Sequence, residues 1–270
     1  MIKVLGIPYD ANSSFLKGPS LAPARIRLME KEGSANCFSE SGLEVIDGKT
    51  HQDDGDLIFN DSDPSKAFNL IKETVSGHLK NKNKVVCFGG DHFVSWPIID
   101  AFSEQFDKLN ILHLDAHADL YENFENNPYS HASPFARIME SGKINSLTQV
   151  GIRTLNSHQR NQAERYKINQ VEMKNFNLNF IQQLKGPLYI SLDLDVLDPA
   201  FAPGISHHEP GGLSTRELIQ IIQSINVDIV GADIVEYNPE RDIHNMTAMV
   251  AYKLFKEIVA KMKSNSIDDY

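Results

Sequence analysis

The chain predicts an α/β fold of three layers, with a doubly wound, mostly parallel sheet held between two layers of helices. Three observations carry that expectation. Short apolar runs recur along the chain, segments of helical period lie between them, and polar clusters follow directly on several of the runs. A run that is apolar at every position belongs to a strand covered on both faces, as central strands of parallel sheets are.

The expected strands are Lys3 to Ile7, Val85 to Phe88, Ile111 to Leu114, Leu147 to Ile152, Leu188 to Leu192 and Ile229 to Ile234. Between them, Asp63-Pro64 reads as an aspartate N-cap with proline at the first helical position, opening a helix that runs through Leu79. Ser214 and Glu217 have the spacing of a capping box for a helix reaching Ile225. The last helix, about Thr247 to Lys263, places Met249, Tyr252, Leu254, Phe255, Val259 and Met262 near helical spacing, so one face docks on the sheet. The polar tail, Ser264 to Tyr270, is expected to fray. No repeat, low-complexity tract or linker interrupts this rhythm, and residues 1–270 are expected to form a single domain.

Composition narrows the function. With 41% hydrophobic and 23% charged residues, the chain can bury one sizeable core. Its net charge of -10 repels a phosphate backbone, and no basic stripe offsets it, so nucleic acid is not an expected partner. Met1 to Asp10 lack the apolar core of a signal peptide, and no apolar run reaches membrane-spanning length, so no membrane partner is expected either. Of the two cysteines, Cys37 and Cys87, the second lies in Val85-Val86-Cys87-Phe88 and reads as part of a buried strand rather than half of a disulfide. A reducing cytoplasm is the expected home.

The polar clusters carry the chemistry. Gly89-Gly90-Asp91-His92 follows one apolar run, Asp115-Ala116-His117-Ala118-Asp119 the next, and Asp193-Leu194-Asp195 a third. In extended backbone, residues two and four apart project to one side, so Asp115, His117 and Asp119 are expected to converge, as are Asp193 and Asp195. Either motif alone is a weak signal, because solvated loops are rich in aspartate. Their joint placement after buried strands makes His92, Asp115, His117, Asp119, Asp193 and Asp195 a candidate metal centre. Carboxylate oxygen with some imidazole and no thiolate suits Mn²⁺ better than structural zinc, with zinc or iron left open. Four aspartates balance two divalent ions, and water between such ions is a nucleophile near neutral pH, which points to metal-assisted hydrolysis at carbon or phosphorus.

Two further residues bear on the electrophile. His131, in Tyr129-Ser130-His131-Ala132-Ser133-Pro134, is placed to give a proton to a departing amine, or is an ordinary surface histidine. Glu236, after Asp233-Ile234-Val235, is placed to hold a cationic substrate, or solvates a turn.

Taken together, Gly89 to His92, Asp115 to Asp119, Ser191 to Pro199 (SLDLDVLDP) and Glu236 closely resemble the motifs of the ureohydrolases, the arginases and agmatinases that cleave urea from a guanidinium with two Mn²⁺ ions. Asn12-Ser13-Ser14-Phe15-Leu16, Tyr129 to Glu140, Phe201 to Leu213 and Met246 to Val250 look most like the plant-type arginases. The resemblance runs from about Ile7 to about Met262 and implies an arginase-like fold. It implies one Mn²⁺ held by His92, Asp115, Asp119 and Asp193 and another by His117, Asp115, Asp193 and Asp195. It makes His131 the proton shuttle and Glu236 the guanidinium-binding carboxylate. The activity implied is arginase, L-arginine and water to L-ornithine and urea, with agmatinase or another guanidino-acid hydrolase as the runner-up. A non-catalytic metal or arginine sensor is a remote alternative, as is a deacetylase with a single zinc. A homo-oligomer, trimer or hexamer, is implied as well.

Recognition of the substrate's tail is less determined. The Tyr121 to Ser130 segment differs in spacing from the animal-type arginases. Asn127 and Ser130 are candidate carboxylate contacts, or turn residues beside Pro128. His207 and His208 line the pocket mouth or cap the loop Gly204 to Gly212. Asp198, before Pro199, suits a turn and is not counted as a ligand.

Overall fold

The computed structural model describes residues 1–265. Its strands are β1 (Ile2–Gly6), β2 (His51–Asp56), β3 (Lys84–Phe88), β4 (Asn110–Leu114), β5 (Ser146–Ile152), β6 (Asn169–Glu172), β7 (Leu188–Asp193) and β8 (Ile229–Val235). Its α-helices are α1 (Ala22–Lys31), α2 (Pro64–Lys80), α3 (Ser95–Gln105), α4 (Pro134–Glu140), α5 (Ser157–Arg165), α6 (Thr215–Ser224) and α7 (Met246–Ser264). The strands form one sheet in the order β2-β1-β3-β8-β7-β4-β5-β6, and every pairing in it is parallel.

All six expected strands are present, and the two unexpected ones lie at the sheet's edges. β2 reads His-Gln-Asp-Asp-Gly-Asp and alternates between covered and open positions, while β6, Asn-Gln-Val-Glu, is nowhere fully buried. An edge strand lacks a neighbour on one side and often a helix over one face, so it needs no continuous apolar run, and that run was the signal. The inner strands show why they carry it. Val4, Val86, Leu112, Ile190 and Ala232 point into the core under α1, α6 and α7, while their neighbours Leu5, Val85, Ile111 and Tyr189 point into the core under α2 and α3. Successive residues of a pleated strand face opposite ways, so two covered faces demand apolar residues at both parities.

Helix starts follow the sequence signals. The Asp63 side chain accepts the Ser65 N–H at 2.9 Å with Pro64 in the first turn, and Ser214 with Glu217 completes a reciprocal capping box. At the far end, α7 continues through Ser264 and its cap Asn265 donates to the Ile225 and Val227 carbonyls, both at 2.9 Å. The tail expected to fray is thus anchored at its first two residues. Its remainder, 266–270, lies outside the described residues. No helix among the described residues is long and apolar enough to cross a membrane.

Candidate metal centre

Four adjacent strands, β3, β8, β7 and β4, end in the residues the motifs single out. Leaving β3, the turn threads between two loops: the Tyr9 carbonyl accepts the Asp91 N–H at 3.0 Å and the Gly90 carbonyl accepts the Glu236 N–H at 2.9 Å. A Cβ on Gly90 would lie 1.9 Å from the Tyr9 oxygen, so only glycine passes there. This close passage delivers His92, buried, into a 3-10 turn spanning His92–Val94.

Past β4 and β7 the chain uses one device twice. Asp115 Oδ1 accepts the His117 N–H at 2.5 Å, and Asp193 Oδ1 accepts the Asp195 N–H at 2.7 Å. Each leading aspartate folds the backbone back through its own carboxylate, a turn that aspartate favours. Asp195 therefore sits in a 3-10 turn, Leu194–Val196, and Asp119 is left-handed with φ 50°. The expected convergence is reached, with a corrected cause: tight turns beyond the strand ends, rather than same-side projection from extended backbone.

In the assembled cluster, His92 Nδ1 stands 3.1 Å from Asp115 Oδ2, 3.1 Å from Asp119 Oδ2 and 3.2 Å from Asp193 Oδ2. His117 Nδ1 is 2.8 Å from Asp195 Oδ2 and 3.5 Å from Asp115 Oδ1, so Asp115 spans both groups. Despite its three oxygen neighbours, His92 Nδ1 makes no aligned hydrogen bond. A buried ring nitrogen and three carboxylate oxygens gathered without hydrogen-bond geometry match what a shared cation requires.

The electrostatics agree. Burial, then the charges of Asp195 and Asp115, push the Asp193 carboxyl well above its usual range, and burial with Asp115 raises Asp195. Asp115 goes the other way: burial opposes its charge, but His113, through its charge and its hydrogen bond, and the nearby His117 and His92 rings hold it well below the usual range. Carboxylates this close ionise together only beside a compensating positive charge. A donor set of carboxylate and imidazole without thiolate fits a hard or borderline divalent ion. The residues present fit a metal.

His113 is a participant the motifs did not flag. Buried in β4, its Nε2 lies 2.7 Å from Asp115 Oδ2. The Gln149 amide, which donates, sits 3.0 Å from its Nδ1 and also reaches the Ala118 carbonyl at 2.6 Å, while Gln149 Oε1 accepts from Gln170 at 2.8 Å. His113 thus carries its proton on Nε2 and orients Asp115, the role of an outer partner. An ionisable residue inside an otherwise apolar run was the available signal.

His131 and Glu236 meet at the cluster's edge. Glu236, directly after β8 and left-handed at φ 61°, accepts the His92 N–H at 2.9 Å and a contact of 2.7 Å from His131 Nδ1, both on Oε1. Two non-glycine residues in left-handed backbone, Asp119 and Glu236, mark this rim as a place where conformational cost is tolerated. Burial disfavours the charged form of His131, but Glu236 prevails and raises it to about 9. Glu236 is held below its usual range by His131 against the opposing effect of burial.

A cavity of about 190 Å³ opens onto these groups, lined among others by Ser14, His117, Asp119, His131, Asp193, Asp195, His207 and Glu236. Tyr121, Phe124, Thr154 and Gln159 line it as well, none of them a candidate site residue on sequence alone. Asn127 and Ser130 are not part of that lining: Asn127 Oδ1 accepts the Tyr129 N–H at 3.0 Å and Ser130 Oγ accepts the Ala132 N–H at 3.2 Å. Both shape the turn, whose polar groups they satisfy locally. Of the histidine pair, His207 faces the cavity, its ring 5.6 Å from His117 and 5.5 Å from His131. His208 turns away to the Pro203 carbonyl and Arg241. Asp198 clamps its loop by accepting the Ala200, Gly211 and Gly212 N–H groups. A larger groove of about 550 Å³ lies beside Arg27, Asp53 and Asp56, whose charges are already paired with one another.

The model of the arginase family matches residues 1–260. The chain belongs to the arginase family. It is 46% identical to arginase 1, mitochondrial, of Arabidopsis thaliana, over 96% of this chain and 80% of that one. It is 32% identical to an agmatinase of Bacillus cereus, over 96% and 90%. Among solved structures, the arginase from Medicago truncatula superposes with a TM-score of 0.90 at 41% identity, covering 97% of this chain and 87% of that one. The cytoplasmic home expected from the cysteines is overturned, since similar plant arginases of Arabidopsis, rice and Medicago are named as mitochondrial or chloroplastic. Two free cysteines do not tell one compartment from another.

Proposed function

We propose that this arginase-family chain hydrolyses L-arginine to L-ornithine and urea, with two Mn²⁺ ions held by His92, Asp115, Asp119 and Asp193 and by His117, Asp115, Asp193 and Asp195. The observation that carries this reading is the convergence of those six side chains in one cluster, of which His117, Asp119, Asp193 and Asp195 line a cavity together with His131 and Glu236. Bound there, the two cations supply Lewis acidity that makes water nucleophilic near neutral pH.

The chain's own residues do the rest. Both contacts on Glu236 fall on Oε1, leaving Oε2 to hold a planar guanidinium and fix its carbon over the cluster. His131, kept cationic by Glu236, gives its Nε2 proton to the departing amine as the carbon–nitrogen bond breaks. Phe124 and Tyr121 supply aromatic lining to the cavity, and its polar residues Thr154, Gln159 and His207 are the groups proposed to meet the substrate's tail. The assembly implied by the resemblance is a homotrimer or a hexamer, and Leu21, Phe201, Ile243 and Met246 are exposed apolar side chains open to such contacts.

Urea release from L-arginine, agmatine and 4-guanidinobutyrate tests the reading. Arginine is expected to be the best substrate, because polar groups matched to a carboxylate and an amine are left unpaired by a tail lacking them. Turnover of agmatine alone would refute it.

A further inference from the structure

The segment Asn12-Ser13-Ser14, in the loop after β1, lies against His131. Asp91, fully buried, anchors it: Asp91 Oδ2 accepts the Asn12 N–H at 2.9 Å and the Ser13 hydroxyl at 3.4 Å. The Asn12 carbonyl in turn accepts the His131 N–H at 3.3 Å. Ser14 then meets the far side of the imidazole twice, with its N–H 3.1 Å and its hydroxyl oxygen 2.7 Å from Nε2. Phe15 closes the segment, its ring 5.4 Å from that of His207.

These contacts divide the two ring nitrogens by task. Nδ1 faces the Glu236 carboxylate at 2.7 Å, an acceptor only, so Nδ1 keeps its proton. Nε2 is the nitrogen that gains and loses one. The Ser14 N–H can only donate, so it serves Nε2 when that atom is bare. A hydroxyl both donates and accepts, so it serves Nε2 in either state.

We propose that the Ser14 hydroxyl is the positioning residue of the proton shuttle, accepting from Nε2–H while His131 is the acid and donating to Nε2 once the proton has gone. This rests on the arginase reading of the same site. In the step itself, the carbon–nitrogen bond breaks with its electron pair on the departing nitrogen, that nitrogen takes the Nε2 proton, and Nε2 keeps its lone pair. The hydroxyl rotates and keeps its own proton throughout. The imidazole therefore meets an aligned partner before and after transfer, without moving its ring.

Two variants of the full chain, Ser14→Ala and Ser14→Thr, test this with arginine as substrate and metal content measured beside kinetics. Ser14→Ala is expected to lower kcat about tenfold, short of the 10²–10⁴-fold that an acid–base group itself contributes. KM is expected to stay within about twofold, since the interaction belongs to the transition state rather than to binding. Metal content should not change. Ser14→Thr keeps the hydroxyl and is expected to recover most of kcat. Parental kcat in Ser14→Ala, or a Ser14→Thr enzyme as slow as Ser14→Ala, overturns the proposal. The ¹⁵N resonances of the His131 ring report the same contact without turnover, and so separate its failure from failure of the arginase reading. The Nε2 signal should move in Ser14→Ala and return in Ser14→Thr. A signal indifferent to both variants overturns it.

Discussion

His131 and Glu236 form one ionic unit whose behaviour with pH follows from their contact. Burial alone would lower the His131 pKa from its ordinary 6.5, and Glu236 reverses this, raising it to about 9. A folded value above the unfolded one means that the imidazolium's stabilisation is complete below about pH 6.5 and is lost as the pH rises through about 9. An NMR titration of protein freed of metal should place the His131 midpoint near 9. In Glu236→Gln the charge goes while the burial stays, so the midpoint should fall toward or below 6.5. A midpoint unmoved by that variant would show that Glu236 is not the controlling charge. At the same scale, Asp193 is proposed to bridge both cations. Asp193→Ala should lose bound metal and cut turnover by more than the 10–100-fold that loss of an outer partner costs. Protein of that sequence with two ions per chain and parental turnover would sink the ligand assignment.

Helix starts are set by local signals that need no long-range contact. The Asp63 cap with Pro64 starts α2, and the reciprocal Ser214–Glu217 bonds start α6, each satisfying N–H groups that a helix's first turn leaves open. Asp63→Ala keeps the helix but removes its cap. Urea unfolding should register a loss of about 1 kcal/mol with the slope unchanged. A loss beyond about 3 kcal/mol would mean that Asp63 does more than cap. Strand ends obey a different rule. The Asp115 and Asp193 turns use a carboxylate oxygen to stop the strand and aim the next ligand, so one residue serves as terminator and as candidate ligand through different oxygens: Oδ1 for the backbone, Oδ2 toward His92.

For the whole molecule, the decisive fact is the sheet order. β8 and β7, formed by the last third of the chain, sit between β3 and β4, so His92 and Asp115 are brought together across two strands that come far later in sequence. Cations held there would tie the ends of β3, β4 and β7, which supply the proposed ligands. Ligands that bind only the folded state stabilise it by about 2.7 kcal/mol at a hundred times their dissociation constant. For a chain of this size each kcal/mol moves Tm by roughly 2–4 °C, so chelation should lower Tm by about 5 °C or more, reversibly on restoring Mn²⁺. A Tm indifferent to chelation would place the metals outside the element that holds the strands together.

The sequence by itself determined the inner strands, the capped helices and the identity of the clustered side chains. Those features depend on residue type at short spacing: unbroken apolar runs, cap residues, and acids and imidazoles placed directly after them. It also determined that His131 and Glu236 belong with the cluster, through the resemblance their motifs carry. Tertiary structure alone decided what depends on neighbours distant in the chain. It added β2 and β6, whose polar sequences make sense only at an edge, and found His113, whose partner Gln149 lies on the adjacent strand. It sent Asn127 and Ser130 to their own turn and brought Thr154 and Gln159 to the cavity, because loop direction is fixed by packing rather than by composition. It also laid Ser14 against His131 across 117 positions of sequence, a pairing that no spacing rule reaches.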